Sequence, residues 1–273
     1  MVCAQLAGHD ASRQARTEAA TAAIARAAGG PGSSTLAVLP ELWPVGFFHF
    51  GDYAALAERL PGSTLRAVAD AARAARVWVH GGSFVERDGQ GRLFNTSFLV
   101  DDRGELQLTY RKLHLFGLGS AESTLLTPGA HAPAAATPWG RLGAATCYDL
   151  RFPELFRDLA LRGVTLLVVA SAWPMARLEQ WRILLRARAV ESQAFVIACN
   201  AAGDDAGTLL AGHSAVISPL GEVIVEAGPG ETELEAWIDP EDAVRARRAF
   251  PFLDDARYTV TLDRGQAQGN STT

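Results

Sequence analysis

Cys147 stands at the end of a short apolar run, residues 142–146, that reads as a buried strand, and polar residues follow it at once. Pro153 and Glu154 then open a helix, since proline is tolerated in a first helical turn, where its missing N–H would have no partner anyway. A thiol placed there, near backbone N–H groups and the positive end of a helix dipole, is expected to act as a thiolate nucleophile. The same residue also reads as a structural cysteine, because cysteine is among the residues most often buried. Two further titratable residues share its setting. Glu41 follows the apolar run 35–39, and Lys112 follows the run 105–111. In sheets covered by helices, ligands gather at strand ends, so the carboxylate, the ammonium and the thiol are expected to converge on one crevice. Taken singly, Glu41 reads as a loop carboxylate and Lys112 as a surface charge. The coincidence of all three favours a site.

The elements that must carry these residues alternate in type. Residues 2–6 form a strand, and Asp10 or Ser12 caps an alanine-rich helix that Gly29-Gly30 ends. A turn at 31–34 leads into the strand before Glu41. Pro61-Gly62-Ser63 opens a second helix reaching Arg76, with Leu65, Val68, Ala69 and Ala72 on one face. Residues 77–86, 93–100 and 105–111 read as three successive strands joined by hairpin-type turns at 88–91 and 101–104. The segment 113–132 has no clear period and exceeds an ordinary connection, which marks it as functional or covering. Two strands around Pro138-Trp139-Gly140 lead to Cys147. Beyond the Pro153 helix, which Gly163 stops, come a buried-type strand at 164–171 and a helix at 176–193 striped by Leu178, Trp181, Leu184 and Leu185. Strands at 194–200, 213–218, 222–226 and 233–238 follow, then a helix from Asp239-Pro240 to Ala249. The pattern is an α/β fold with mixed sheets and helices outside, a single domain over 1–262, and a polar tail at 263–273 expected to fray.

Composition narrows the function classes. With 273 residues, 48% hydrophobic, the chain is long and apolar enough for a sizeable core. A net charge of -5 argues against a nucleic-acid binder, and the cluster Arg245, Arg247 and Arg248 reads as a solvated helix face. The apolar run 164–172 is far shorter than the roughly 20 residues a bilayer requires, so no membrane partner is expected. No basic region followed by an apolar core marks a signal peptide at the N-terminus. Three cysteines, Cys3, Cys147 and Cys199, make no disulfide framework and fit a reducing cytoplasm, with Cys3 and Cys199 as core residues. No pair of cysteines or histidines has zinc-like spacing, and neither metal nor cofactor is expected.

Three blocks together resemble the signature of the nitrilase superfamily of carbon–nitrogen hydrolases. They are Pro40-Glu41-Leu42-Trp43 with Gly46-Phe47, then Tyr110-Arg111-Lys112-Leu113-His114-Leu115-Phe116, then Cys147-Tyr148-Asp149-Leu150-Arg151-Phe152-Pro153-Glu154. The resemblance runs from Val2 to about Tyr258 and takes in Glu122-Ser123-Thr124-Leu125 with Pro128-Gly129, the run 185–191, and Gly212-His213-Ser214. It implies a four-layer α-β-β-α sandwich, a homodimer or higher homo-oligomer, and a catalytic set of Glu41, Lys112 and Cys147. It also places Glu122 where the family often has a further active-site glutamate; alone, Glu122 reads as a loop residue. Tyr148-Asp149 after the cysteine is similar to the amidase branches, whereas the nitrile-hydrolysing branch commonly has Trp-Glu. The pattern around Lys112 and Cys147 is most similar to the omega-amidases, which deaminate short dicarboxylate monoamides such as 2-oxoglutaramate.

The chemistry agrees with that resemblance. An amide carbonyl is a poor electrophile, so the nucleophile must be activated and the developing oxyanion must meet a positive partner. Cys147 would attack, Glu41 would move the proton, and Lys112 with the backbone N–H of Tyr148 would hold the oxyanion. Lys112 would also favour the thiolate. Phe47, Trp173 and Met175 are candidate apolar walls that read equally as core, Arg177 is a candidate cation for a substrate carboxylate, and Asp149 with Arg151 reads as an ion pair or hydrogen-bonding group at the turn ahead of a substrate contact. Three other readings stand beside this one: an N-carbamoyl amino acid, aliphatic amide or nitrile hydrolase; a cysteine–histidine enzyme using His114 or His213; and a silent interaction module with the same fold.

Overall fold

The computed structural model describes residues 1–7, 12–29 and 34–257. Asp10 as a cap, Gly30 of the helix stop, most of the 31–34 turn, Tyr258 and the tail at 263–273 lie outside them. In chain order the first half holds Val2–Gln5 (β1), Arg13–Arg26 (α1), Leu36–Val38 (β2), the single turn Tyr53–Leu56 (α2) and Ser63–Ala75 (α3). Trp78–Arg87 (β3), Leu93–Val100 (β4), Leu106–Arg111 (β5) and the single turn Glu122–Leu125 (α4) follow. The second half holds Ala134–Thr137 (β6), Gly140–Thr146 (β7), Pro153–Leu161 (α5), Val164–Ser171 (β8), Leu178–Ser192 (α6) and Phe195–Asn200 (β9). It ends with Ala202–Asp205 (β10), Thr208–Ala211 (β11), Ala215–Ile217 (β12), Val223–Glu226 (β13), Thr232–Glu235 (β14) and Glu241–Ala249 (α7).

Two six-stranded sheets result, ordered β14-β1-β2-β3-β4-β5 and β13-β12-β9-β8-β7-β6. Each has three parallel strands at its centre and antiparallel strands at its margins. The helices α1 and α3 bury Ile24, Leu65, Val68 and Ala72 against Ala37, Leu39, Val79 and Phe98 on the outer face of the first sheet. Leu36, Val38 and Leu99 of that sheet join one apolar cluster with β7, β8 and β9 and with Phe156, Trp181 and Leu185 of α5 and α6. This is the four-layer α-β-β-α sandwich.

Local chemistry explains most boundaries. The Ser12 hydroxyl accepts from the Ala15 amide at 3.2 Å and so caps α1. Asp88 and Asp101 each accept two backbone N–H groups of the hairpin turn that follows them, from Gln90 and Arg92 and from Arg103 and Glu105. Along α6, Trp181 and Leu185 are buried, but Ile183 and Val190 stand 64% and 47% exposed. The β10–β11 hairpin was not expected from sequence. Its strands are short and carry small and acidic residues, and the turn rests on Ala206 and Gly207 at φ 50° and 82°. Arg247 is also not a solvated surface charge. Its guanidinium donates to the carbonyls of Val164, Ser192 and Gln193, tying α7 to the ends of α6 and β8, while Arg245 and Arg248 are exposed. Cys3 and Cys199 are fully buried and unpaired. Among the described residues, no helix is long and apolar enough to cross a membrane.

Candidate active site

Glu41 reaches the site because a bulge in β3 receives the segment before it. The register of β3 shifts between His80 and Ser83, and Gly82 adopts φ +60° there. A methyl group at Gly82 would collide with the Pro40 carbonyl. The Ser83 amide donates to the Pro40 carbonyl, and the Ser83 hydroxyl accepts from the Leu42 amide at 2.9 Å. The Glu41 amide donates to the Ser171 carbonyl at the end of β8, so this segment also bridges the two sheets. Lys112 continues β5, its amide donating to the Asn95 carbonyl of β4 at 2.8 Å. Cys147 leaves β7 with φ 46°, a left-handed conformation that side chains rarely adopt and that turns its sulfur out of the sheet.

The expected convergence is present. Lys112 Nζ lies 2.8 Å from Glu41 Oε1, 2.8 Å from Glu122 Oε1 and 2.9 Å from Glu122 Oε2. The Glu41 Oε2 accepts the Ala172 amide at 3.0 Å, and the Cys147 thiol faces the same carboxylate. Lys112 and Glu122 are fully buried, Glu41 is 1% exposed and Cys147 is 8% exposed. Glu122 is therefore no loop carboxylate in solvent; besides Lys112 it accepts the Phe116 amide at 2.7 Å.

The charges around the thiol run against the expected lowering of its pKa. Burial would depress the Lys112 ammonium, but Glu122 and Glu41 outweigh it and hold the amine protonated well above its ordinary range. Burial and the Glu122 charge raise the Glu41 carboxyl despite the attraction of Lys112. For Cys147, burial and the adjacent Glu41 charge outweigh Lys112 and raise the thiol well above its ordinary pKa. Two carboxylates against one ammonium leave the buried set negative, and a thiolate would add a second uncompensated charge. Burial and the Glu41 charge both favour the neutral thiol over the thiolate.

Cys147 opens into a cleft holding about 380 Å³ of empty space and walled by Phe47, Phe116, Tyr148, Arg151, Trp173 and Arg177. Of the candidate wall residues, Phe47, Trp173 and Arg177 line this cleft. Met175 does not line the cleft; it lies half-buried in a 3-10 turn beyond Pro174. Asp149 and Arg151 form no ion pair. Asp149 Oδ1 accepts the His114 amide at 3.0 Å and faces His114 Nδ1 at 2.8 Å, while Oδ2 accepts the Tyr110 hydroxyl at 2.6 Å and the Thr146 amide at 2.9 Å. Arg151 instead lies over the Trp173 ring at 4.8 Å and reaches Gln180. Neither histidine lines the cleft: His114 stacks on Phe152 at 3.7 Å, and His213 pairs with Glu226 at 2.7 Å.

Sequence reasoning missed Asn95, whose amide nitrogen donates to Glu41 Oε1 at 2.8 Å and Glu122 Oε1 at 3.0 Å. The available signal was Asn95-Thr96-Ser97, a polar triplet inside an otherwise apolar strand. It also missed Phe116 and held substrate contact only as the lesser reading of Arg151. Among the described residues, no group of three or more His, Cys, Asp or Glu side chains could hold a metal ion.

The carbon–nitrogen hydrolase family profile matches residues 3–248. The 2-oxoglutaramate amidase of Paenarthrobacter nicotinovorans is 35% identical over 244 residues, covering 87% of this chain and 83% of that protein. The crystal structure of Nit3 from Saccharomyces cerevisiae, a member of branch 10 of the nitrilase superfamily, superposes with a TM-score of 0.86 at 30% identity, covering 94% of this chain and 96% of Nit3. A variant of the amidase from Nesterenkonia sp. AN1, with the acetamide moiety of fluoroacetamide covalently added at its active-site cysteine, superposes at 0.78 with 25% identity, covering 93% of this chain and 96% of that one. This chain belongs to the carbon–nitrogen hydrolase family.

Proposed function

We propose that the protein is a cysteine-dependent omega-amidase that releases ammonia from a short dicarboxylate monoamide such as 2-oxoglutaramate. The observation that carries this reading is the buried Lys112 bridging Glu41 and Glu122 beside the Cys147 thiol, which itself opens into a cleft with two arginines in its wall. The 2-oxoglutaramate amidase similarity supports the substrate class. In this reading the sulfur of Cys147 bonds to the amide carbon as its proton passes to Glu41. The carbonyl oxygen, now negative, is held by Lys112 and by the Tyr148 amide. That amide opens a 3-10 turn, where an N–H has no partner within the turn. Glu41 then gives the proton to the departing nitrogen, ammonia leaves, and a thioester remains for water to hydrolyse. Glu122 and Asn95 hold Lys112 and Glu41 in register.

Arg151 and Arg177 supply the cation for the far carboxylate, and Phe47, Phe116 and Trp173 enclose the carbon chain between. The test is ammonia release from 2-oxoglutaramate, succinamate, glutamine, an N-carbamoyl amino acid and a simple nitrile. The dicarboxylate monoamides should be preferred, and Arg151→Leu should raise their KM by about 10–100-fold, the loss of one charge-assisted contact, while leaving an uncharged aliphatic amide little affected. Equal turnover of charged and uncharged amides would remove the carboxylate reading. A homodimer and a reducing cytoplasm belong to the same proposal. The exposed Ile183, Val190 and Leu220 on the α6 side, and three unpaired cysteines, support them. A mass of one chain by light scattering would contradict the dimer.

A further inference from the structure

The end of β8 brings a hydroxyl to the nucleophile. Strands β7 and β8 run parallel with Thr146 opposite Ala170, so one residue further along each strand Cys147 comes beside Ser171. Ser171 is fully buried. Its carbonyl is committed, accepting the Glu41 amide at 3.3 Å and the Ala201 amide at 2.9 Å. Its hydroxyl is not: among the described residues it hydrogen-bonds no nitrogen or oxygen. It faces the Cys147 sulfur instead, as does the Ala172 amide that follows it. That amide also donates to Glu41 Oε2 at 3.0 Å, so Ser171 and Ala172 border both the thiol and its base. A buried hydroxyl with no oxygen or nitrogen partner is unfavourable, and an alanine would avoid the penalty, so packing alone gives no reason for a serine. The charged groups facing the sulfur are Glu41, after β2, and Lys112, after β5; the first opposes negative charge on sulfur and the second favours it. The Ser171 hydroxyl and the Ala172 amide act in the same sense as Lys112.

We propose that Ser171 is a further catalytic residue, whose hydroxyl donates a hydrogen bond to the Cys147 sulfur while that sulfur carries negative charge. The inference rests on the amidase reading for the two steps it serves. In the first, the thiol proton passes to Glu41 as the sulfur bonds to the amide carbon, and the carbonyl electron pair moves to oxygen. The sulfur is negative between the loss of its proton and the completion of that bond. In the second, water bonds to the thioester carbon and gives one proton to Glu41. The C–S bond then breaks with its electron pair on sulfur, and Glu41 returns the proton to it. Ser171 keeps its own proton throughout, so amide and water still give acid and ammonia. A neutral thiol is a weak acceptor and an anionic sulfur a stronger one, so the bond strengthens on the way to each transition state. An interaction of that kind raises kcat rather than tightening substrate binding.

The test is Ser171→Ala, which removes one oxygen that no nitrogen or oxygen pairs with, so the fold should survive with a Tm no lower than that of the unaltered chain. Two rates are compared: alkylation of Cys147 by iodoacetamide at neutral pH, followed by intact mass, and ammonia release from 2-oxoglutaramate. Cys147→Ala gives the background from Cys3 and Cys199. Alkylation and kcat should both fall by about tenfold, the loss of one charge-assisted hydrogen bond, with KM little changed. Alkylation and kcat at the unaltered rates in folded Ser171→Ala would overturn the role of Ser171 and leave the amidase reading standing. A lowered Tm with alkylation unchanged would make Ser171 a packing residue and overturn it equally. Slowed alkylation in the variant, with no ammonia released from any amide by the unaltered protein, would uphold the contact to sulfur and overturn the amidase reading.

Discussion

Lys112 is surrounded by more negative charge than it neutralises, and that imbalance sets the chemistry of the residues around it. Two buried carboxylates hold its amine protonated, so no alkaline loss of activity should arise from Lys112 between pH 7 and 9. Burial together with that imbalance raises the Cys147 thiol and raises Glu41 above the ordinary 4.5 of a glutamate. Glu41 must be ionised to take the proton, so kcat/KM should fall on the acid side as pH drops through that raised pKa. A Glu41→Gln variant keeps the shape and leaves Lys112 paired with Glu122, so the fold should survive. Its kcat should fall by at least about 10³-fold, at the upper end of what general acid–base catalysis supplies, which a pH–rate profile with circular dichroism checks. A flat acid limb with full activity in Glu41→Gln would assign the base elsewhere. Glu41, Lys112 and Cys147 were legible as candidates in the sequence because each follows closely on a strand-like run. The direction in which the thiol is shifted was not, because it depends on which charges the fold buries together, and strand and helix positions alone do not reveal that sum.

At the scale of elements, the site depends on how two strand ends and one turn are pinned to one another. Asp149 ties the turn after β7 to the end of β5 through Thr146, Tyr110 and His114, and so sets Cys147 against Lys112. Asp149→Ala removes four hydrogen-bonding contacts at a fully buried position, which should lower stability by about 3 kcal/mol or more. It should also cut kcat by about 10–100-fold with a smaller change in KM, as expected when reacting groups lose registry. Unchanged kcat in a variant with a lowered Tm would make Asp149 structural only. The strands and main helices were readable from periodicity and turn residues, as at the Asp88 and Asp101 hairpins. The β10–β11 hairpin was not, because it is specified by positive φ at Ala206 and Gly207 and by docking, with little apolar alternation in its strands. The Asp149 contacts were equally hidden, since they join residues up to 39 positions apart.

Over the whole molecule, the two sheets meet through an apolar layer, and the site sits where strand ends from both halves of the chain come together. That layer contains one imidazole out of keeping with it. His80 is fully buried on β3 with neither ring nitrogen hydrogen-bonded, and burial lowers its pKa from 6.5 to about 4. The unfolded chain binds this proton more readily, so the stability associated with neutral His80 is complete above pH 6.5 and is lost as pH falls towards 4. The loss should be about 3 kcal/mol across that window. His80→Leu should flatten that part of the stability–pH curve in urea titrations; an unchanged slope would show that other groups set it. The architecture was legible in outline because two runs of alternating strands and helices flank the segment at 113–132, while the cleft was not, because Arg151 and Phe116 enter it only through the folding of that segment and the turn. Carboxylate, ammonium and thiol are expected to act together on one amide carbon. The most direct measurement is ammonia release from 2-oxoglutaramate together with intact mass of the quenched protein, for the unaltered chain and for Cys147→Ala and Cys147→Ser. Ammonia and a thioester-sized mass gain on Cys147 are expected for the unaltered chain, and neither for the two variants. Turnover that survives in both variants would contradict it.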